Sequence, residues 1–221
     1  MQNRWIDLYL REIEEFGGIE EFMKIKIREK RPLIKRIIAK ATTGGNILES
    51  GCGTGVISEY LASLGYNLTC IDRDKRMISL AKLIAKKQLS RPNFVVQDIL
   101  NIRFPKKYFD VCFHHGVLEH FSDDEIVSII KRQLEVSKFV IFSVPTNFFH
   151  DEEKIYGDER FLSRKYWKNL ISLAGGNLVD EFSYFHYSNS ARIVFLKLIN
   201  FITFGKFPLI KPYGGFVIKN E

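Results

Sequence analysis

A short apolar strand runs into a glycine-rich turn at Asn46-Ile47-Leu48-Glu49-Ser50-Gly51-Cys52-Gly53-Thr54-Gly55. Three glycines stand at alternate positions, and an acidic residue, Glu49, comes two residues before the first of them. An apolar pattern with helical spacing begins directly afterwards at Val56. Glycine lets a backbone turn sharply and approach a ligand closely, because no Cβ is in the way. The stretch therefore predicts a strand, a nucleotide-type binding loop and a helix whose first N–H groups are unpaired.

Two better-known glycine loops do not fit this pattern. The dinucleotide fingerprint G-x-G-x-x-G needs a third glycine where this chain has Val56. The phosphate-binding P-loop needs a lysine, and the loop has none. A carboxylate at Glu49 would also repel a pyrophosphate but attract a cationic group such as an α-amino or a sulfonium group.

Acidic residues also stand at the ends of the next two predicted strands. Asp72 ends a strand over residues 67–72, about 20 residues past the first glycine, where an acidic residue binds ribose hydroxyls in a βαβ nucleotide fold. Asp98 follows a strand over residues 93–97 and is suited to the exocyclic amine of adenine. The ends of such strands line one crevice. A ligand with an amino acid, a ribose and an adenine is S-adenosylmethionine.

A fourth motif, Phe109-Asp110-Val111-Cys112-Phe113-His114-His115-Gly116-Val117-Leu118-Glu119-His120, completes the pattern. With it, the chain resembles the class I S-adenosylmethionine-dependent methyltransferases over residues 46–186. The ending Val-Leu-Glu-His resembles the small-molecule branch that includes the ubiquinone-biosynthesis O-methyltransferases. The resemblance implies an enzyme with a doubly wound, Rossmann-like α/β fold. Its seven-stranded, mostly parallel sheet would have the order 3-2-1-4-5-7-6, with the last strand antiparallel.

The resemblance also implies a set of cofactor-binding residues: Glu49, Gly51, Cys52, Gly53, Gly55, Asp72, Arg73, Asp98, Ile99, His114 and His115. The two histidines would contact the cofactor largely through their backbone. His120 and His115 are the candidate catalytic residues, because imidazole is a suitable base at neutral pH. Glu119 would orient the ring of His120. The alternative is a Glu-His pair that only fixes the following helix.

Alternating patterns predict the remaining elements. Helices are expected over 3–16, 19–41, 55–64, 74–88, 122–135 and 163–174, and further strands over 109–113, 138–144, 178–186 and 215–219. Residues 1–45 would form a helical cap over the cofactor. Residues 46–221 would form the methyltransferase domain, with an insert over 188–213, in one structural domain overall.

The formal net charge of +7 is concentrated in the two flanks of the chain. Residues 47–184 hold 18 basic and 18 acidic side chains, whereas residues 1–46 hold 10 and seven, and residues 185–221 hold five and one. The flanks therefore suggest an anionic acceptor or an anionic membrane surface. Residues 191–210 form an amphipathic, mostly apolar run that would line a lipophilic acceptor pocket, touch a membrane, form a dimer contact or cover the domain's own core.

These patterns predict transfer of a methyl group from S-adenosylmethionine to a small-molecule hydroxyl or amine. A methyltransferase of RNA or protein and a non-catalytic S-adenosylmethionine-binding module remain as alternatives. Nucleic acid is not the expected partner, because residues 114–117 lack the polar-Pro-Pro-aromatic motif of amino-methylating nucleic-acid enzymes. With no signal sequence at Met1 and three cysteines without metal-ligand spacing, we expect a cytoplasmic protein without a metal site.

Overall fold

The computed structural model describes residues 4–88, 91–155, 157–185 and 212–220, and it contains the predicted seven-stranded sheet. The strands are β1 (Asn46–Ser50), β2 (Asn67–Asp72), β3 (Asn93–Val96), β4 (Phe109–His115), β5 (Ser137–Pro145), β6 (Gly176–Tyr184) and β7 (Tyr213–Asn220). Their spatial order is β3-β2-β1-β4-β5-β7-β6, which confirms the expected order. β1 to β5 pair in parallel, and β7 is antiparallel to both of its neighbours.

The order of the strands determines where a ligand can bind. The chain builds outward from β1 through β2 to β3, and then crosses back to place β4 on the other side of β1. At this reversal, the connections leave the carboxyl ends of β1 and β4 in opposite directions and open a crevice. The glycine loop follows β1 and the His114–His120 motif spans the end of β4, so both motifs border this crevice.

Seven helices are described: α1 (Arg4–Glu15), α2 (Ile19–Glu29), α3 (Arg31–Lys40), α4 (Val56–Ser63), α5 (Lys75–Gln88), α6 (Asp123–Val136) and α7 (Arg164–Leu173). The helix expected over 19–41 is divided in two at Lys30. Pro32 lies in the first turn of α3, where its missing N–H costs no hydrogen bond, but it cannot continue a preceding helix. At α6, Ser122 and Glu125 form a capping box.

Apolar side chains cover both faces of the sheet. Ile126 and Ile129 of α6 and Trp167 of α7 are buried on one face. Leu33 and Ile37 of α3, with residues of α4, are buried on the other. α3 therefore belongs to the layer that covers the sheet.

α1 lies apart from these two layers. Trp5 and Tyr9 of α1 pack against a third cluster around Phe22 of α2 and Met77 of α5. The insert over 188–213 and the amphipathic run 191–210 fall almost entirely outside the described residues. Within the described ranges, no helix is long and apolar enough to cross a membrane.

Candidate active site

The glycine loop has the backbone conformation that its sequence predicts. Gly51, Gly53 and Gly55 have φ values of +75°, +52° and +67°, in the region that favours glycine. A Cβ at Gly51 would lie 2.8 Å from a methyl of Val117, and a Cβ at Gly55 would lie 2.9 Å from the ring of Phe94. Backbone conformation and packing therefore both require glycine at these two positions.

Most of the N–H groups of the loop have acceptors within the protein. The carbonyl of Ile71 accepts hydrogen bonds from the N–H groups of Gly51 and Cys52, at 2.8 and 3.0 Å. The Asp72 carboxylate accepts from Gly53 N–H at 3.0 Å and from Asp74 N–H at 2.9 Å. The end of β2 therefore already binds the N–H groups of Gly51, Cys52 and Gly53. Asp72 thereby fixes the loop and the end of β2 together.

Glu49 is more deeply buried than we expected for a residue beside the glycine loop. Its side chain is 5% exposed, and one carboxylate oxygen accepts a hydrogen bond from Ser58 Oγ of α4 at 2.5 Å. Burial raises the pKa of Glu49 to about 8, which the bond from Ser58 partly opposes. The structure therefore places Glu49 as a buried link between β1 and α4.

The other residues predicted to bind the cofactor near the loop differ in how deeply they are buried. Asp98 accepts a hydrogen bond from Leu100 N–H at 2.9 Å and caps the short turn Ile99–Asn101. Ile99 is buried in the core, whereas Arg73 is exposed. The Cys52 side chain is buried, and burial raises the pKa of its thiol well above the usual value. An ionised, reactive thiol is therefore not expected here.

The two adjacent histidines of β4 face opposite sides of the sheet. His114 is fully buried and stacks on Phe142, with ring centroids 5.2 Å apart, and burial lowers the pKa of His114 to about 3. His115 lines a cavity at the end of the strand. Its Nδ1 lies 2.9 Å from Ser143 Oγ and 3.0 Å from Tyr184 OH. Burial, reinforced by nearby lysines, lowers the pKa of His115 well below 6.5, so its ring is neutral and a weak base.

The ring of His120 contacts Asp158, whereas its sequence neighbour Glu119 was the expected partner. Its Nδ1 lies 3.1 Å from a carboxylate oxygen of Asp158, while Glu119 lies buried beneath the turn. A carboxylate at Nδ1 keeps the proton of a neutral ring on that atom and leaves the lone pair on Nε2. Trp5 packs edge-on against the ring, with centroids 5.4 Å apart. The expectation that Glu119 orients His120 is therefore wrong, and Asp158 takes that position.

A cavity of about 540 Å³ lies between α1, the end of β4 and the segment after β5. It is bordered by His115, Gly116, Glu119 and His120 from the β4 motif. The rest of its lining comes from other parts of the chain: Trp5, Leu8, Tyr9, Glu12, Lys26, Pro145, Phe149, Glu152, Glu153, Ile155, Glu159, Phe161, Pro212 and Tyr213. For the positions in α1, the local signal is the helical spacing of the aromatic residues Trp5 and Tyr9.

Tyr9 links this cavity to the glycine loop. It lines the cavity, and its hydroxyl would lie 3.4 Å from a Cβ placed on Gly53. Trp5 lies beside Tyr9, with ring centroids 6.2 Å apart. These two rings of α1 therefore extend from the glycine loop to His120 and cover the crevice between them.

Known proteins resemble this chain in sequence and in fold. Residues 48–142 match the family model described as a methyltransferase domain. The ubiquinone biosynthesis O-methyltransferase of Pelagibacter ubique (strain HTCC1062) is 32% identical over 114 residues, which cover 49% of this chain and 47% of that relative. The match thus spans about half the length of each protein.

Solved structures share the fold over most of the chain. A protein from Pyrococcus horikoshii OT3 has a TM-score of 0.68 at 18% identity, covering 96% of this chain and 98% of its own. The magnesium protoporphyrin IX methyltransferase from Synechocystis PCC 6803, solved with bound S-adenosylmethionine, has a TM-score of 0.64 at 14% identity, covering 86% and 77%. Residues 48–142 thus match a methyltransferase domain, and the chain is similar in sequence and in fold to S-adenosylmethionine-dependent methyltransferases.

Proposed function

We propose that this chain transfers a methyl group from S-adenosylmethionine to a small molecule bound in the cavity beside His115 and His120. The observation that carries the proposal is the junction of two sites. Asp72 holds the backbone of the glycine loop, and Tyr9 lies beside this loop at Gly53. Tyr9 also lines the cavity at the end of β4. A donor and an acceptor bound at these two places would lie next to each other.

The residues around the loop fit the donor. Gly53 presents no side chain toward Tyr9, so the backbone leaves room between the loop and α1 that a Cβ would narrow. Asp72 and Asp98 follow neighbouring strands and retain acceptor capacity for ribose hydroxyls and the adenine amine. When bound, S-adenosylmethionine supplies a methyl group on a sulfonium, which is already a good leaving group.

The protein's remaining tasks are to position the acceptor, exclude water and take up a proton. Trp5 and Tyr9 cover the crevice and exclude water. His120, oriented by Asp158, presents Nε2 as a proton acceptor for a hydroxyl group. His115 is the weaker base and acts through position, held by Ser143 and Tyr184. The relatives named as O-methyltransferases support oxygen as the accepting atom.

Calorimetry with S-adenosylhomocysteine tests the donor site. Asp72→Ala should weaken binding by about tenfold or more, because the loop loses its anchor and the ligand loses a charged acceptor. Asp124→Ala removes an exposed carboxylate from α6 and should leave the affinity unchanged. If the wild-type protein does not bind, or if Asp72→Ala binds as tightly as the wild-type protein, the donor site is misassigned.

A further inference from the structure

One oxygen of a carboxylate in the cavity has no hydrogen-bond donor among the residues that the structure describes. Glu119 lines the cavity and is 4% exposed. Its Oε2 is buried and accepts no hydrogen bond from any residue that the structure describes. A buried acceptor without a donor costs about 1–3 kcal/mol. This atom is therefore suited to a ligand that brings a donor into the cavity.

The other charged groups of the lining do not supply that donor. Lys26 pairs with Glu12 at 2.7 Å. Glu159 accepts hydrogen bonds from the N–H groups of Ile155 and Gly157, both at 3.0 Å. The described lining holds five glutamates against one lysine and two histidines, so a ligand there meets an excess of negative charge. The anionic acceptor suggested by the basic flanks finds no support in this lining.

A second lysine lies behind the cavity without pairing with Glu119. Lys30 is buried, 4.0 Å from a carboxylate oxygen of Glu29 and over the rings of Tyr184 and Tyr213. Burial lowers the pKa of Lys30 to about 7, which halves its charge at neutral pH. Burial, assisted by Glu159 and Asp158, raises the pKa of Glu119 to about 8. A cation at Oε2 would favour the carboxylate, and Glu119 would release its proton on binding.

Aromatic rings line the same cavity. Trp5, Tyr9, Phe149, Phe161 and Tyr213 all contribute to its wall. Aromatic faces attract ammonium groups, and the attraction grows when water is excluded. A buried carboxylate among several rings is therefore matched to an organic cation. Within the described ranges, no group of three or more His, Cys, Asp and Glu side chains is placed to hold a metal ion.

We propose that the methyl acceptor carries an ammonium group, which donates a hydrogen bond to Glu119 and packs against the aromatic wall. This inference rests on the proposed function, since it names the chemical class of the acceptor. The hydroxyl group of the acceptor takes the methyl group. The ammonium group is a separate part of the same molecule, by which the protein recognises it.

Three phenols of similar size test the inference. Tyramine carries an ammonium group, 4-ethylphenol is neutral and 4-hydroxyphenylacetate is anionic. Their binding is measured by calorimetry on the wild-type protein saturated with S-adenosylhomocysteine. Tyramine should bind about tenfold or more tightly than the other two, as expected for a hydrogen bond between charged groups. Binding of tyramine should also release protons, seen as a heat that depends on the buffer.

Two variants assign the preference to Glu119. Glu119→Gln keeps the shape but not the charge, and it should bind the three phenols within about threefold of one another. Glu14→Gln changes an exposed carboxylate of α1 outside the cavity lining and should keep the preference. Trp5→Leu should reduce the preference for tyramine severalfold, because it removes an aromatic ring from the wall of the cavity.

Several outcomes would overturn the inference. They are equal binding of the three phenols, no binding of any of them, and an unchanged preference in Glu119→Gln. If Glu119→Gln instead weakens S-adenosylhomocysteine binding and leaves the preference for tyramine intact, Glu119 serves the donor. Failure of the wild-type protein to bind S-adenosylhomocysteine would refute the proposed function itself, so the two failures are distinguishable.

Discussion

At the scale of single residues, three side chains at the end of β4 and just beyond it have three separate environments. His115 is held by two hydroxyl groups, Glu119 is buried without a partner at Oε2, and His120 is paired with Asp158. His120 lies in the cavity wall with its ring oriented by Asp158, whereas burial makes His115 a weak base. His120 is therefore the better candidate for the proton acceptor.

Replacing His120 tests this role. With a phenolic acceptor, His120→Ala should lower kcat about 100-fold or more, because the hydroxyl must lose its proton as the methyl group is transferred. Asp158→Asn should lower kcat by a smaller factor and change its pH profile, since the tautomer of the ring is no longer fixed. Steady-state kinetics across pH measure both effects.

His150→Ala is the matched control, because His150 is exposed and outside the cavity lining. It should keep wild-type kcat, and all three variants should bind S-adenosylhomocysteine normally. Full turnover by His120→Ala with the wild-type pH profile would end the assignment of His120 as base.

At the scale of elements, the sequence predicts the strands well, because buried parallel strands appear as short apolar runs with polar ends. β2 has the predicted bounds, residues 67–72. The break at Lys30 was harder to place, since Pro32 permits either a helix start or a kink. Pairing between distant elements was not predictable. Asp158 meets His120 across 38 residues, and no local pattern encodes that contact.

α1 gives a prediction at the same scale. Tyr9→Ala should weaken S-adenosylhomocysteine binding about fivefold, the equivalent of about 1 kcal/mol, because the loop loses its aromatic cover at Gly53. Leu10→Ala changes the neighbouring residue, which is 49% exposed and outside the cavity lining, and should have no effect. Calorimetry compares the two variants. Equal affinities would show that α1 does not cover the donor.

At the scale of the whole molecule, buried ionisable groups couple stability to pH in opposing directions. The pKa values of Glu49 and Glu119 are raised to about 8, that of Lys30 is lowered to about 7, and that of His114 is lowered to about 3. The carboxyl groups make the protein less stable as pH rises, whereas the lowered His114 and Lys30 make it more stable. The pH dependence of the free energy of unfolding is the sum over all these groups. A substitution at one position is therefore needed to measure the contribution of a single group.

Glu49→Gln isolates one carboxyl group. In the unfolded chain Glu49 ionises near pH 4.5, but in the folded protein it stays protonated up to about pH 8. Its contribution to stability is therefore complete below pH 4.5 and is lost as the pH rises through 8. The amide of the variant cannot ionise, so Glu49→Gln should gain stability relative to the wild-type protein between pH 5 and pH 8.5. We expect a gain of at least about 1.4 kcal/mol, the equivalent of one pKa unit.

Urea unfolding at the two pH values measures this difference, with Glu14→Gln as the exposed control. The control should show no change between the two pH values relative to the wild-type protein. The hydrogen bond from Ser58 limits the gain, because it stabilises the carboxylate of the wild-type protein and so opposes the rise of the pKa of Glu49. If Glu49→Gln and the wild-type protein differ equally at pH 5 and pH 8.5, Glu49 ionises near its usual pH, and it meets solvent or a ligand rather than the core.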